Sequence, residues 1–270
     1  MRVGIVGLGL IGGSLGLALR RLAQPPEVIG IARSPERASA AMQRGAIDAA
    51  SADIAGLGDC DIVVLATPID QIRTVLERAA AVVGPDTVVT DVASIKVPIV
   101  EWARRIPHPQ RFFAGHPVAG KAESGLEAAD PALFADEPWI FTPAPGQDRG
   151  PLVPVVELVS AIGARPVFMG ADEHDRQMAY LSHLAFTVSA AYAQTIEAHA
   201  DPTVGGPGYR SMVRLARGDA SMYESILAQN RRPLVEALDV FAQTLHDFRE
   251  RIAREQSVRD LFKAGTHVAV

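Results

Sequence analysis

The chain has 270 residues, enough for one large domain or two modest ones with a sizeable core, and 48% of them are hydrophobic against 21% charged. A net charge of −5 and a pI near 5.8 exclude the basic footprint of a nucleic-acid or anionic-membrane binder. The single cysteine, Cys60, excludes an intramolecular disulfide and suits a reducing compartment, and no run reaches the ~18 uncharged apolar residues of a membrane span. The first apolar strand starts at Arg2 with no basic, apolar leader ahead of it, so the chain is expected to be cytoplasmic.

In chain order, Arg2–Val6, Val28–Ala32, Ile62–Ala66 and Val88–Val92 are short runs rich in Val and Ile and read as buried strands. Leu10–Leu22, Pro35–Arg44 and Ile69–Ala81 read as the helices between them. Phe112–Ala114, Trp139–Thr142 and Arg165–Met169 are further strands, with Leu152–Ile162 an intervening helix. Strands alternating with helices of this length predict an α/β fold, a doubly wound parallel sheet of Rossmann type. After Met169 the pattern changes. No glycine or proline falls between Gly170 and Pro202, and Met178, Leu181, Ala185, Val188 and Tyr192 recur at helical steps, with Asp172 as the expected N-cap. Leu234, Leu238, Phe241, Leu245, Phe248 and Ile252 step by four and three, a seam that needs a partner helix. The expected organisation is a dinucleotide-binding domain over 1–170 and an all-helical domain over 171–270, with the tail from Lys263 frayed.

Gly7-Leu8-Gly9-Leu10-Ile11-Gly12 is GxGxxG set directly between a strand and a helix. Gly7 permits the tight turn, Gly9 lets backbone N–H groups approach a pyrophosphate, and Gly12 lets helix and strand pack closely, while the helix N-terminus supplies positive potential. At the end of the second strand, Gly30-Ile31-Ala32-Arg33-Ser34-Pro35 has alanine where an acidic residue would bind the ribose 2′-hydroxyl of NAD. Arg33 with the Ser34 hydroxyl suits a 2′-phosphate instead, so NADP is the expected cofactor, with NAD an alternative. Two further segments fall at carboxyl ends of strands: Thr90–Lys96, with Ser94, and Gly115–Gly120, with His116 on a loop framed by glycine and proline. A histidine beside a nicotinamide is suited to take a hydroxyl proton as hydride leaves the same carbon. Taken by itself, His116 is equally consistent with a loop residue that satisfies backbone groups.

Four strings, Gly7–Ser14 (GLGLIGGS), Asp91–Lys96 (DVASIK), Gly115–Gly120 (GHPVAG) and Met178–Leu184 (MAYLSHL), together resemble the prephenate/arogenate dehydrogenase family of tyrosine biosynthesis, in the family's order and over nearly the whole chain. The resemblance implies a helical C-terminal domain that dimerises, and oxidative decarboxylation of a cyclohexadienyl substrate. It implies that His116 accepts the hydroxyl proton and that Ser94 contacts both hydroxyl and nicotinamide. Gly208–Arg214 (GYRSMVR) resembles the family's GFRDxxR segment, which places Arg214 on the arginine that grips a substrate carboxylate. The expected cofactor contacts are then Gly7, Gly9, Leu10, Ile11, Gly12, Arg33, Ser34, Thr67 and Ser94, with no metal.

Departures from the family pattern bear on the substrate. Many prephenate-using members carry SHLPH where this chain has Ser182-His183-Leu184-Ala185-Phe186. Many also carry a glutamate where this chain has Ala122, with Glu123 displaced by one, and Ser211 replaces the aspartate of GFRD. Members resembling this chain at Ala122, at Phe186 and at an Ala-Arg-Ser or Ser-Arg second strand resemble the NADP-using, arogenate-preferring branch, so arogenate is the expected substrate, with prephenate the alternative that Ser211 and Glu123 keep open. The remaining histidines, His108, His174, His199, His246 and His267, show no constellation in sequence, and His183 reads equally as structural or catalytic. Two other classes stay open. A β-hydroxyacid or imine dehydrogenase typically places a lysine on the long helix, and Asp175–Glu197 has none; a non-catalytic NADP-binding protein would lack Ser94, His116 or Arg214.

Overall fold

A computed structural model describes residues 1–121 and 123–263; Ala122, and the tail beyond Lys263 that was expected to fray, lie outside the described residues. The strands are β1 (Arg2–Val6), β2 (Glu27–Ile31), β3 (Ala49–Ser51), β4 (Ile62–Leu65), β5 (Val88–Asp91), β6 (Phe112–Pro117), β7 (Pro138–Thr142) and β8 (Arg165–Phe168). They form one sheet in the order β3-β2-β1-β4-β5-β6-β7-β8. Strands β1 to β6 run parallel, β7 pairs antiparallel with β6, and β8 runs parallel to β7. The N-terminal half is therefore a Rossmann-type sheet whose last two strands reverse direction.

Helices α1 (Leu10–Leu19), α2 (Pro35–Gln43), α3 (Ile69–Ala80), α4 (Val97–Ala103) and α5 (Val153–Ala161) connect the strands. Both faces of the sheet are covered, which is why its strands read as unbroken apolar runs rather than as alternation. Val3, Ile5, Val28, Ile62 and Val64 pack with Leu15 and Leu19 of α1 and Val155 of α5. The alternate residues Val6, Ile29, Ile31, Val63 and Leu65 pack with Ile72 and Leu76 of α3 and Ile99 of α4. The two-residue period of the strand decides which side chain meets which helix. Strand order reverses between β1 and β4, and at that switch point the carboxyl ends of the parallel strands open a crevice suited to a ligand.

The remaining helices are α6 (Ala171–Met178), α7 (Leu184–His199), α8 (Pro207–Val213), α9 (Ala220–Gln229), α10 (Arg231–Ala253) and α11 (Arg259–Lys263). Helix α6 begins one residue before Asp172. Asp172 therefore lies in the first turn, where its charge complements the positive end of the helix dipole, and the Gly170 carbonyl accepts the His174 N–H at 2.9 Å. The chain divides into two compact units. Met1–Met178 with Arg217–Gln229 forms the first, because Ile226 of α9 joins the core beside α3 and α4. Ala179–Ala216 and, among the described residues, 230–263 form the second, whose regular elements are all helices.

In the second unit one turn, Ala179–His183, is π-helical and leads into α7. The His183 Nδ1 and Asn230 Nδ2 atoms are 3.0 Å apart, both side chains buried, which ties that turn to the start of α10. Leu234 and Ala237 of α10 are buried, whereas Leu245 is 53% and Ile252 63% exposed. Among the described residues Leu245 and Ile252 of the predicted seam are thus left uncovered, whereas Phe248 is half-buried and meets Phe262 edge to face.

Candidate active site

At the carboxyl end of β1, Gly7 has φ of +100°, and a Cβ there would lie 2.4 Å from the Ala66 carbonyl oxygen. A Cβ on Gly12 would lie 1.9 Å from the Gly7 carbonyl oxygen, so only glycine lets α1 start against this turn. Around the Cβ position of Gly9 nothing lies within 4 Å. Gly9 also caps α1 with no side chain, which leaves the first-turn N–H groups, those of Leu10 and Ile11 among them, without a side-chain acceptor. Open space in front of unpaired helix N–H groups fits a pyrophosphate. Beside it, past β4, the Thr67 hydroxyl oxygen is buried with no hydrogen-bond partner among the described residues, as befits a group that meets a ligand.

At the end of β2 Ala32 is buried and Arg33 is exposed, with no ion pair among the described residues. The Ser34 hydroxyl caps α2, accepting the Arg37 N–H at 3.4 Å and donating to the Glu36 carboxylate. That hydrogen bond holds the Glu36 carboxyl below its usual range. Positive charge at this corner therefore comes from arginine, while the serine is engaged in the helix cap.

The carboxyl ends of β5 and β6 carry the chemistry. Asp91 and Lys96 are fully buried, and the Lys96 ammonium donates to Asp91 Oδ2 at 2.5 Å and to the Gly115 carbonyl at 2.6 Å. Asp91 also accepts the Ala93 N–H at 2.9 Å and the Gly115 N–H at 3.1 Å. One ion pair therefore clamps the turn bearing Ser94 to the strand bearing His116. Burial pushes the Asp91 carboxyl up and the Lys96 amine down, each opposed by the other's charge. Ser94 itself is half-buried on that turn.

His116 is the fifth residue of β6, not part of a loop, and is 8% exposed. Residues 112, 114 and 116 share the sheet face covered by α4, and pairing with β7 (His116 opposite Ile140) extends the strand through Pro117. The His116 Nδ1 atom is 2.8 Å from Nε2 of His174, which is completely buried on α6, and the two rings meet edge to face at 71°. His174 Nδ1 in turn is 2.7 Å from the Asp175 carboxylate. That carboxylate also accepts the backbone N–H groups of Lys96 at 2.7 Å and Val97 at 2.9 Å. Burial pushes the His174 imidazole below the usual histidine range, the Asp175 hydrogen bond opposing it. His174, without a visible constellation in sequence, is the immediate neighbour of the candidate base.

Arg214 belongs to the second unit, where it is exposed at the C-terminus of α8. The buried Ser189 of α7 brackets it. Its hydroxyl donates to the Met212 carbonyl at 2.6 Å and accepts the Ala216 N–H at 2.9 Å. Ser211 is exposed on α8, and Phe186 is half-buried on α7. The first unit thus places the glycine loop, Arg33, Ser34, Thr67, Ser94 and His116 at the carboxyl ends of its parallel strands β1, β2, β4, β5 and β6. Burial pushes the thiol of Cys60, the lone cysteine, up to about 11, so it is inert packing. Among the described residues no cluster of three metal-ligating side chains occurs, and no helix is long and apolar enough to cross a membrane.

Comparison with known proteins agrees with this architecture. Residues 15–168 match the family model described as "Prephenate dehydrogenase, nucleotide-binding domain" and residues 170–264 the one described as "Prephenate dehydrogenase, dimerization domain". The prephenate dehydrogenase of Bacillus subtilis is 31% identical over 96% of this chain and 72% of its own length. The crystal structure of A. aeolicus prephenate dehydrogenase in complex with hydroxyphenyl propionate and NAD+ superposes with a TM-score of 0.90 at 29% identity, covering 98% of this chain and 95% of that one. Synechocystis arogenate dehydrogenase superposes with a TM-score of 0.83 at 30% identity, covering 98% and 96%. The chain belongs to the prephenate/arogenate dehydrogenase family, a family of oxidoreductases.

Proposed function

We propose that this protein catalyses the oxidative decarboxylation of arogenate to tyrosine with hydride transfer to NADP, acting as a homodimer. The observation that carries the reading is a buried histidine, His116, held by a second histidine on a sheet whose strand carboxyl ends also bear an open glycine loop. Such a group takes a hydroxyl proton at the carbon that gives up hydride. When bound, the nicotinamide accepts that hydride. The substrate hydroxyl passes its proton to His116 as its carbon becomes a carbonyl. The bond to the ring carboxylate then breaks, CO2 departs, and the bonding pair enters the ring to give a phenolate, which takes the proton back from His116. No proton is gained or lost overall, and aromatisation drives the step. Ser94 orients the hydroxyl, and Arg214 binds a substrate carboxylate with its planar guanidinium.

NADP is favoured by Arg33 and by the absence of a carboxylate at the end of β2. Arogenate is favoured by Phe186 in place of a histidine and by Ala122 in place of a glutamate. A dimer is favoured by the match to a dimerization domain and by the exposed Leu245 and Ile252 of α10. The prephenate dehydrogenase names of the relatives, that of Bacillus subtilis among them, favour a second reading, oxidation of prephenate.

One assay separates these readings: NADPH or NADH absorbance with arogenate, prephenate and a 3-hydroxy acid offered side by side. The expected order places arogenate with NADP highest in kcat/KM. A higher value for prephenate overturns the substrate assignment, and equal values for NAD and NADP overturn that of the cofactor. Arg33→Ala is expected to raise the KM for NADP about 10-fold while leaving that for NAD nearly unchanged. Ser189→Ala, which removes two hydrogen bonds around Arg214, is expected to raise the substrate KM by about 5- to 30-fold with the cofactor KM unmoved. An unchanged substrate KM would separate Ser189 from the substrate site.

A further inference from the structure

We infer that His174 and Asp175 are positioning residues that fix the tautomer of His116, holding its proton on Nδ1 so that Nε2 is the basic atom. The inference rests on His116 being the proton acceptor and extends that reading to two residues with no assigned role. It follows from counting donors. The Asp175 carboxylate accepts the N–H groups of Lys96 and Val97, and a carboxylate has no hydrogen to give. Its contact with His174 Nδ1 therefore requires the proton on that nitrogen. In a neutral His174 the other nitrogen, Nε2, is then an acceptor, and it faces His116 Nδ1 at 2.8 Å. His116 must supply the hydrogen from Nδ1, which leaves the lone pair on Nε2. A protonated His174 would reverse the hydrogen bond and put the proton of His116 on the wrong nitrogen. Burial of His174 opposes that charged form.

The same chain serves the next moment of the reaction. Once Nε2 has taken a proton, the imidazolium donates from Nδ1 to His174, and the carboxylate of Asp175 lies one ring away. The charged groups that act on His174 are Asp91 on β5, Lys96 on the turn before α4, and Asp175 on α6. The Asp175 carboxylate, one ring away through two hydrogen bonds, favours that imidazolium. The arrangement has the logic of an Asp-His pair in a hydrolase triad, with a second imidazole interposed.

The tautomer is read directly by long-range 1H–15N correlation of the histidine rings in the NADP-bound wild-type protein. The expected result is a neutral His116 protonated at Nδ1; protonation at Nε2 overturns the inference whatever the variants do. In kinetics, His174→Leu is expected to lower kcat about 10²-fold or more with an unchanged KM for NADP, and to move the acidic limb of the kcat profile to lower pH. His174→Gln, whose amide oxygen accepts from His116 Nδ1, is expected to recover most of that loss. Wild-type kcat and pH profile in His174→Leu would show that His174 is only a packing residue. Retained turnover in His116→Asn would instead remove the proton-acceptor reading while leaving the tautomer measurement intact, so the two failures are distinguishable.

Discussion

His116→Asn is expected to lower kcat by about 10²- to 10⁴-fold while the Kd for NADP stays within about two-fold of wild type. Asparagine is smaller than histidine but keeps a polar side chain in β6, and the strand's pairing with β7 runs through backbone groups that the substitution leaves in place. What is lost is an acceptor for the hydroxyl proton. The glycine loop and Thr67 lie past other strands, β1 and β4, and their backbone geometry does not depend on the imidazole. Single-turnover kinetics with cofactor titration by fluorescence separate the two effects. A fall in kcat below about 10-fold would remove His116 as the general base, and a parallel loss of NADP affinity would mean that it holds the cofactor.

The second large effect concerns stability. Lys96→Met is expected to destabilise the protein by about 3–5 kcal/mol at neutral pH, because it leaves Asp91 charged and unpaired in a fully buried position. Against a typical total of about 5–15 kcal/mol, that is a large fraction. The pH dependence has a definite sign. Burial already raises the Asp91 carboxyl above its unfolded value, and removing the ammonium, which opposes that shift, raises it further. A carboxyl with a raised folded pKa contributes stability that is full below its unfolded pKa, near 4, and is lost as pH rises through the folded value. The gap between variant and wild type should thus narrow as pH falls from about 8 to about 5. Urea denaturation across that range checks it. A loss under about 1 kcal/mol at pH 7, or a gap that widens toward acid, would show that the pair is not what clamps Gly115 to the β5 turn. Adding Asp91→Leu should restore only part of the loss, because the N–H groups of Ala93 and Gly115 would then lack their acceptor.

Much of the first unit was legible from residue patterns alone. Runs of Val and Ile mark β1, β2, β4 and β5 to within a residue, because a strand buried on both faces has no polar face to interrupt it. GxGxxG announces its own geometry, since Gly7 and Gly12 are required by contacts with backbone no more than about one turn or one neighbouring strand away. The misses have physical causes. Strand β3 is Ala-Ala-Ser, three half-buried residues whose strand character comes only from pairing with β2. Strand β6 runs three residues beyond the predicted Ala114, and takes His116 out of its expected loop, because β7 pairs with Gly115, His116 and Pro117. That pairing belongs to the sheet and not to local propensity.

The sequence by itself determined the fold class, the family and the identity of His116, Ser94, Arg33 and Arg214 as candidates, because those signals are carried by spacing along a few turns of chain or by short motifs in order. Only the tertiary structure decided what surrounds the candidate base. His174 lies 58 positions from His116, and Asp175 lies 79 positions from the Lys96 N–H it accepts. Neither separation has a sequence signature. Hydrogen-bond partners across such intervals are chosen by which helix lies over which strand, and α6 delivers its imidazole to β6 and its carboxylate to the start of α4 only once the sheet has formed beneath it.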